Sequence, residues 1–290
     1  MTERINQFTR DGLVFDVIDS GPRAATEAPV VALHGFPERA SSWNGVTRIL
    51  NDAGVRTLAP DQRGYSPGAR PAKVRDYRLS ELVGDVLALI NTLDVPQVHL
   101  LSHDWGSAVA WSIAAQHPDR IASLTALAVP HTGAFLRAMP RGQLLKSWYM
   151  AAFQIPALPE RVITKGSTIL AARGRQSWLP AGSLDDLTTG IIEYGALPGG
   201  LNWYRALRFA DPAAGRRKVS VPTTYIWGER DAFLSRAGAR GCSEMVTGPY
   251  EFIALSGADH WLPQRHPDAI AEATLRRIAS VTAGSTGLAT

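Results

Sequence analysis

A turn of almost no length constrains this chain more than any other feature. Gln97 to Ser102 reads as a buried strand, and Gly106 to Gln116 carries a helical pattern stopped before Pro118. Only His103, Asp104 and Trp105 lie between them. A strand-to-helix passage this tight needs small outer residues. Ser102-His103-Asp104-Trp105-Gly106 supplies them, so that the central side chain, Asp104, projects into a cleft. Taken alone, an Asp after a strand is also the ordinary N-cap of the following helix. Ser102 is a second candidate nucleophile, although it would need a small residue at 104, where Asp stands.

Around this elbow, short apolar runs alternate with helical patterns, the rhythm of a mostly parallel sheet covered by helices. Val30 to Leu33 is a buried strand entering His34-Gly35-Phe36-Pro37, and Val55 to Ala59 is another, ending at Pro60-Asp61-Gln62-Arg63-Gly64. Apolar residues from Leu79 to Leu93 fall at the spacing of an amphipathic helix. Leu124 to Val129 is a further strand. Strand patterns then stop, and Trp148, Tyr149, Phe153, Trp178, Tyr194, Trp203 and Tyr204 are scattered through helix-like segments broken by Pro and Gly. The rhythm resumes at Thr223 to Trp227 and Tyr250 to Leu255, followed by a closing helix from about Pro267 and a frayed tail at Ala283 to Gly287. The expected fold class is α/β, a mostly parallel twisted sheet flanked by helices. Its core comprises residues 1–130 and 215–290, and residues 131–214 form a helical cap.

Composition excludes several functions. The formal net charge is +4, and Arg216-Arg217-Lys218 is the one basic run, too short to suggest a nucleic-acid partner. Nothing approaches the roughly 20 apolar residues of a membrane helix, so no integral membrane association is expected. The single cysteine, Cys242, excludes an intrachain disulfide and fits a reducing compartment, which points to the cytoplasm. No CxxC, HExxH or GxxxxGK[ST] pattern is present, so neither metal nor cofactor is called for.

An acid and a base follow the elbow in chain order. Asp231 stands in Gly228-Glu229-Arg230-Asp231 after a late strand, with Glu229 as an alternative acid, and His260 stands in Gly257-Ala258-Asp259-His260-Trp261. With these partners, an Asp nucleophile specifies the atom attacked. Serine attack on saturated carbon would leave an ether that cannot be turned over. Asp attack leaves an alkyl ester, which water activated by His260 cleaves at the carboxyl carbon of Asp104. The backbone N–H groups of Phe36 and Trp105 would bind the oxyanion. The substrate therefore carries a leaving group on saturated carbon, an epoxide oxygen or a halide.

His34-Gly35-Phe36-Pro37-Glu38, Asp61-Gln62-Arg63-Gly64-Tyr65, His103-Asp104-Trp105-Gly106, Asp231 and His260 run over nearly the whole chain. Together they resemble the α/β-hydrolase-fold epoxide hydrolases. The resemblance extends to the cap: Tyr149 precedes Phe153-Gln154 by the family spacing, and Asn202-Trp203-Tyr204-Arg205 matches the family's Asn-Trp-Tyr-Arg motif. It implies that Asp104, Asp231 and His260 carry the reaction and that Tyr149 and Tyr204 donate protons, with Tyr194 in reserve. Ring opening without a donor would expel an alkoxide, whereas a phenol with a pKa near about 10 can give up its proton. His34, Trp105, Trp148, Phe153 and Trp203 are expected to bind substrate, an apolar epoxide. His34 reads equally as a packed histidine shaping the oxyanion loop. His103 is expected to support the elbow, and His99, His117, His131 and His266 to be structural or surface residues. The sequence leaves a homodimer open.

Two other functions compete. A haloalkane dehalogenase shares the Asp nucleophile and the Trp after it, but often carries Asn where Phe36 stands; a fluoroacetate-type enzyme carries Arg where Trp105 stands. A binding protein that has kept the fold has no need of a complete relay.

Overall fold

The computed structural model describes residues 3–22, 28–172 and 185–286. Its sheet has eight strands: β1 (Gln7–Arg10), β2 (Leu13–Ser20), β3 (Val30–Leu33), β4 (Thr57–Pro60), β5 (Val98–His103), β6 (Ile121–Leu127), β7 (Thr223–Gly228) and β8 (Tyr250–Leu255). They lie in the order β1-β2-β4-β3-β5-β6-β7-β8. β1 and β2 pair antiparallel with each other, and β2 pairs antiparallel with β4. The remaining neighbours are parallel.

The alternation of side chains along a strand sorts the apolar residues onto the two faces. Val31, Leu33 and Leu100 join one core cluster, with Leu82, Val86 and Leu89 from helix Leu79–Thr92 and Val109 and Ile113 from helix Trp105–Gln116. Val30, Ala32 and Leu101 join the other, with Val46 and Leu50 from helix Asn44–Asp52 and Ile270 and Ala271 from the closing helix Pro267–Thr286. Helices therefore cover both faces, as central strands buried throughout require.

β1 and β2 are not among the strands that the sequence pattern predicts. They form a hairpin whose turn residues, Asp11 and Gly12, have φ of 51° and 78°, the positive values an Asp-Gly hairpin turn needs. Phe8, Phe15 and Val17 point inward between more exposed neighbours. The closing helix runs to Thr286, so the tail expected to fray from Ala283 is helical up to that residue. Gly287 and Trp178 lie outside the described residues.

Between β6 and β7 no strand occurs among the described residues; Thr132–Ala138, Gln143–Lys146, Trp148–Ala152, Leu158–Ala172 and Leu197–Arg205 are α-helical and Asp186–Glu193 is π-helical. The helix Leu197–Arg205 lies on the core at a glycine pair. A Cβ on Gly199 would stand 2.4 Å from the Gly64 carbonyl oxygen, so the two backbones touch because neither residue has a side chain. No described helix is long and apolar enough to cross a membrane.

Candidate active site

The parallel strands end together. Register places Leu33 opposite Ser102 and Ser102 opposite Ala126, while Gly228 pairs with Leu255. The segments carrying Phe36, Asp104, Asp231 and His260 therefore all leave the sheet from the carboxyl ends of their strands, where open α/β sheets place their sites.

Asp104 has φ 50° and ψ −120°, a conformation costly for a residue with a side chain and held only by its surroundings. Two glycines make it feasible. A Cβ on Gly106 would meet the Leu33 carbonyl oxygen at 2.1 Å, and one on Gly35 would meet the Asp104 Cβ at 2.3 Å. Asp104 occupies the N-cap position of its helix yet makes no side-chain cap hydrogen bond. Instead the Phe36 N–H donates to its Oδ1 at 2.8 Å, and its Oδ2 lies 3.5 Å from His260 Nε2. Ser102 is fully buried in β5, with Ser107 Oγ donating to its hydroxyl at 3.1 Å.

On its other side His260 Nδ1 lies 2.8 Å from Asp231 Oδ2. The second oxygen of Asp231 accepts from the N–H groups of Phe233 and Leu234 at 2.7 and 2.9 Å. Burial opposes the charge on Asp231, but the His260 charge and these hydrogen bonds outweigh it and hold the carboxyl below its ordinary range. Burial likewise pushes His260 down, and the two flanking carboxylates reverse the effect, raising it to about 10. Glu229 lies apart, paired at 3.1 Å with Arg236 near the surface.

A buried polar chain ties three loops behind these groups. His103 Nδ1 lies 2.7 Å from Glu38 Oε2, and its Nε2 lies 2.8 Å from the His260 carbonyl oxygen. Glu38 also accepts from Gln264 and from the Gly35 N–H. Burial would raise Glu38; His103 and Gln264 overcome that and bring it to about 2. His34 donates from Nδ1 to the Gly35 carbonyl at 2.9 Å and accepts the Gln62 N–H at Nε2. Both of its nitrogens are occupied by backbone and it is fully buried, so the expectation that it touches substrate is corrected: it props the loop that presents Phe36.

Aromatic rings stand opposite the carboxylate. Tyr204, only 4% exposed, lies edge-on to Trp105 at 5.0 Å, Phe153 at 5.0 Å and Phe36 at 5.5 Å. Tyr149 is 6.0 Å from Tyr204 and 5.6 Å from Phe233, whose ring in turn contacts His260 at 4.9 Å. Desolvation first, and the negative charge of Asp104 among the further causes, push both phenols above their ordinary pKa; each phenol stays protonated.

The two tyrosine motifs hold each other. Gln154 Nε2 donates to the Tyr204 carbonyl at 3.0 Å, and Arg205 donates to the Phe153 carbonyl at 3.1 Å and pairs with Glu160 at 2.7 Å. A third tie had no sequence signal: buried Gln143 donates to the Phe233 carbonyl and accepts the Ser235 N–H, at 2.9 and 2.8 Å, linking the Tyr149 segment to the Asp231 loop. Phe233 was missed as well, although it stands only two residues beyond Asp231.

Two expected substrate contacts are placed differently from Phe153 and Trp105. Trp148 is 71% exposed, because the neighbouring position on the helix Trp148–Ala152 turns inward with Tyr149. Trp203 is buried and donates from Nε1 to the Arg63 carbonyl at 2.8 Å, packing edge-on against Trp105 and Tyr65; it anchors its helix. Phe153 and Trp105 do face the phenols. Tyr194 lies elsewhere, beneath the Arg39 guanidinium at 3.6 Å.

Known proteins resemble this chain over most of its length. Residues 28–267 match the family model described as alpha/beta hydrolase fold. Epoxide hydrolase A of Mycobacterium tuberculosis is 32% identical, the alignment covering 94% of this chain and 96% of that one. AB hydrolase superfamily protein YfhM of Bacillus subtilis is 35% identical over 82% of this chain and 85% of its own. The crystal structure of Epoxide Hydrolase A from Mycobacterium thermoresistibile superposes with a TM-score of 0.77 at 28% identity, covering 93% of this chain and 96% of that one. The chain belongs to the α/β-hydrolase fold family and, within it, to the epoxide hydrolases.

Proposed function

We propose that the protein hydrolyses apolar epoxides to vicinal diols through an alkyl ester on Asp104. The observation that carries this reading is the pairing of a non-capping carboxylate, one oxygen held by the Phe36 N–H and the other facing His260, with two protonated phenols near enough to feel its charge. Residues 131–214 act as the cap that brings the phenols there. Asp104 attacks an epoxide carbon, the carbon–oxygen bond breaks, and a proton from Tyr149 or Tyr204 passes to the departing oxygen.

Alkylation also resets the base. Two carboxylates raise His260 in the resting enzyme, and esterification of Asp104 removes one of those charges. The imidazole then gives up its proton, which passes through solvent to the phenolate and restores the phenol, and the neutral ring takes a proton from water as the water oxygen adds to the carboxyl carbon of Asp104. The Phe36 and Trp105 N–H groups hold the oxyanion; on collapse the ester C–O bond breaks, the intermediate's hydroxyl proton passes to the leaving oxygen, the diol departs, and Asp104 is again a carboxylate beside a protonated His260. Asp231 orients the imidazole throughout.

A halide departs without a proton, so the phenols distinguish this reaction from dehalogenation. In single-turnover alkylation by an epoxide, Tyr149→Phe and Tyr204→Phe should each retain measurable rate, and the double variant should lose about 10²- to 10⁴-fold. A folded double variant alkylating at the wild-type rate would sink the assignment of the phenols.

A further inference from the structure

The exposed large apolar side chains are unevenly distributed. Apart from Ile18, all those found among the described residues lie between Leu136 and Phe209, in the helical insert. Leu145 is 81% exposed, Trp148 71% and Leu144 64%. On the helix Leu158–Ala172 the exposed residues Leu158, Val162, Lys165 and Ile169 recur at helical spacing and share one face. Ile163 packs against the core and Ser167 is buried on the other side. The apolar stripe faces outward, the reverse of an ordinary surface helix.

Charge accompanies the stripe. From residue 136 to 172 the chain carries five cations, Arg137, Arg141, Lys146, Arg161 and Lys165, against one acid, Glu160. Glu160 is already paired with Arg205 at 2.7 Å. Arg141, Arg161 and Lys165 are exposed, and among the described residues no ion pair forms with them.

We propose that this face docks on an anionic lipid surface. Leucine, isoleucine and tryptophan side chains can sink into the interface while arginine and lysine reach the headgroups. A second copy of the chain is the poorer occupant, since pairing the face with itself would bring Arg161 and Lys165 towards their own copies. The proposed reaction at Asp104 does not depend on this surface, and binding is measured without activity.

The experiment is co-sedimentation of the full chain with phosphatidylglycerol-containing vesicles and with pure phosphatidylcholine vesicles, with light scattering of the protein alone. Binding to the anionic vesicles, weakened by salt, is expected. Arg161→Gln/Lys165→Gln should reduce it about fivefold per cation removed, and Leu145→Ser/Trp148→Ser about tenfold or more. All four residues are exposed, so the variants should remain folded, which circular dichroism checks. Equal binding to both vesicle types, no binding at low salt, or variants that bind like wild type would overturn the proposal. So would a dimer abolished by Leu145→Ser/Trp148→Ser, which would show that a second copy covers the face.

Discussion

The two sides of the candidate site are built by different means. Below, the carboxylate is fixed by backbone: a positive φ at Asp104, glycines at 35 and 106 that admit no Cβ, and strand ends brought level by parallel register. Above, the phenols are fixed by side chains reaching between helices, chiefly Gln154, Arg205 and Gln143, and by close contacts of Gly199 and Gly200 with the core. A backbone-defined site cannot shift without disturbing the sheet, whereas a helical insert can move as a piece. Damage below should therefore read out in stability, and damage above in rate.

The largest effect expected from this contrast is at the elbow. Gly106→Ala would place a Cβ 2.1 Å from the Leu33 carbonyl oxygen, in the middle of the sheet, and should cost about 3 kcal/mol or more in urea unfolding. Gly199→Ala would meet the Gly64 carbonyl oxygen at 2.4 Å, but there the helix carrying Tyr204 can lift. Its alkylation rate should fall about 10²-fold, as a displacement of about 1 Å can cause, with a smaller loss of stability than Gly106→Ala. Equal loss of stability in the two variants, or undiminished alkylation by Gly199→Ala, would erase the distinction.

The smallest effect is in pH dependence and belongs to the lower side. His260 is raised from 6.5 to about 10. Its contribution to stability is present in full below about 6.5 and is lost as pH rises through about 10. Glu38 is lowered from 4.5 to about 2, so its contribution is present above about 4.5 and disappears as pH falls towards 2. His260→Gln should flatten the alkaline limb of the urea midpoint against pH, and Glu38→Gln the acid limb. Unchanged limbs would remove the charge account of the relay.

The same contrast explains what the sequence revealed. The elbow was legible because a strand, three residues and a helix leave one geometry, and buried parallel strands are continuous apolar runs. The hairpin of β1 and β2 was missed although Asp11-Gly12 announces it; its strands are polar on the outer face and hide among charged residues. In the insert, the tyrosines were legible through a family resemblance alone. Trp148 and Tyr149 are adjacent and aromatic, and nothing in their order says which one turns inward; that depends on how Gln143 meets the Asp231 loop, a contact across about ninety residues of sequence. Trp203 was placed among substrate contacts for the same reason: an aromatic residue that anchors a helix and one that lines a pocket look alike before packing is known.

In the proposed reaction Asp104 forms the covalent bond and His260 serves the step that breaks it. His260→Gln incubated with an epoxide, digested and analysed by mass spectrometry tests it directly. A stable adduct of epoxide mass is expected on the peptide containing Asp104, localised by fragmentation to that residue. An adduct on Ser102, or substrate consumption with no adduct on Asp104, would contradict it.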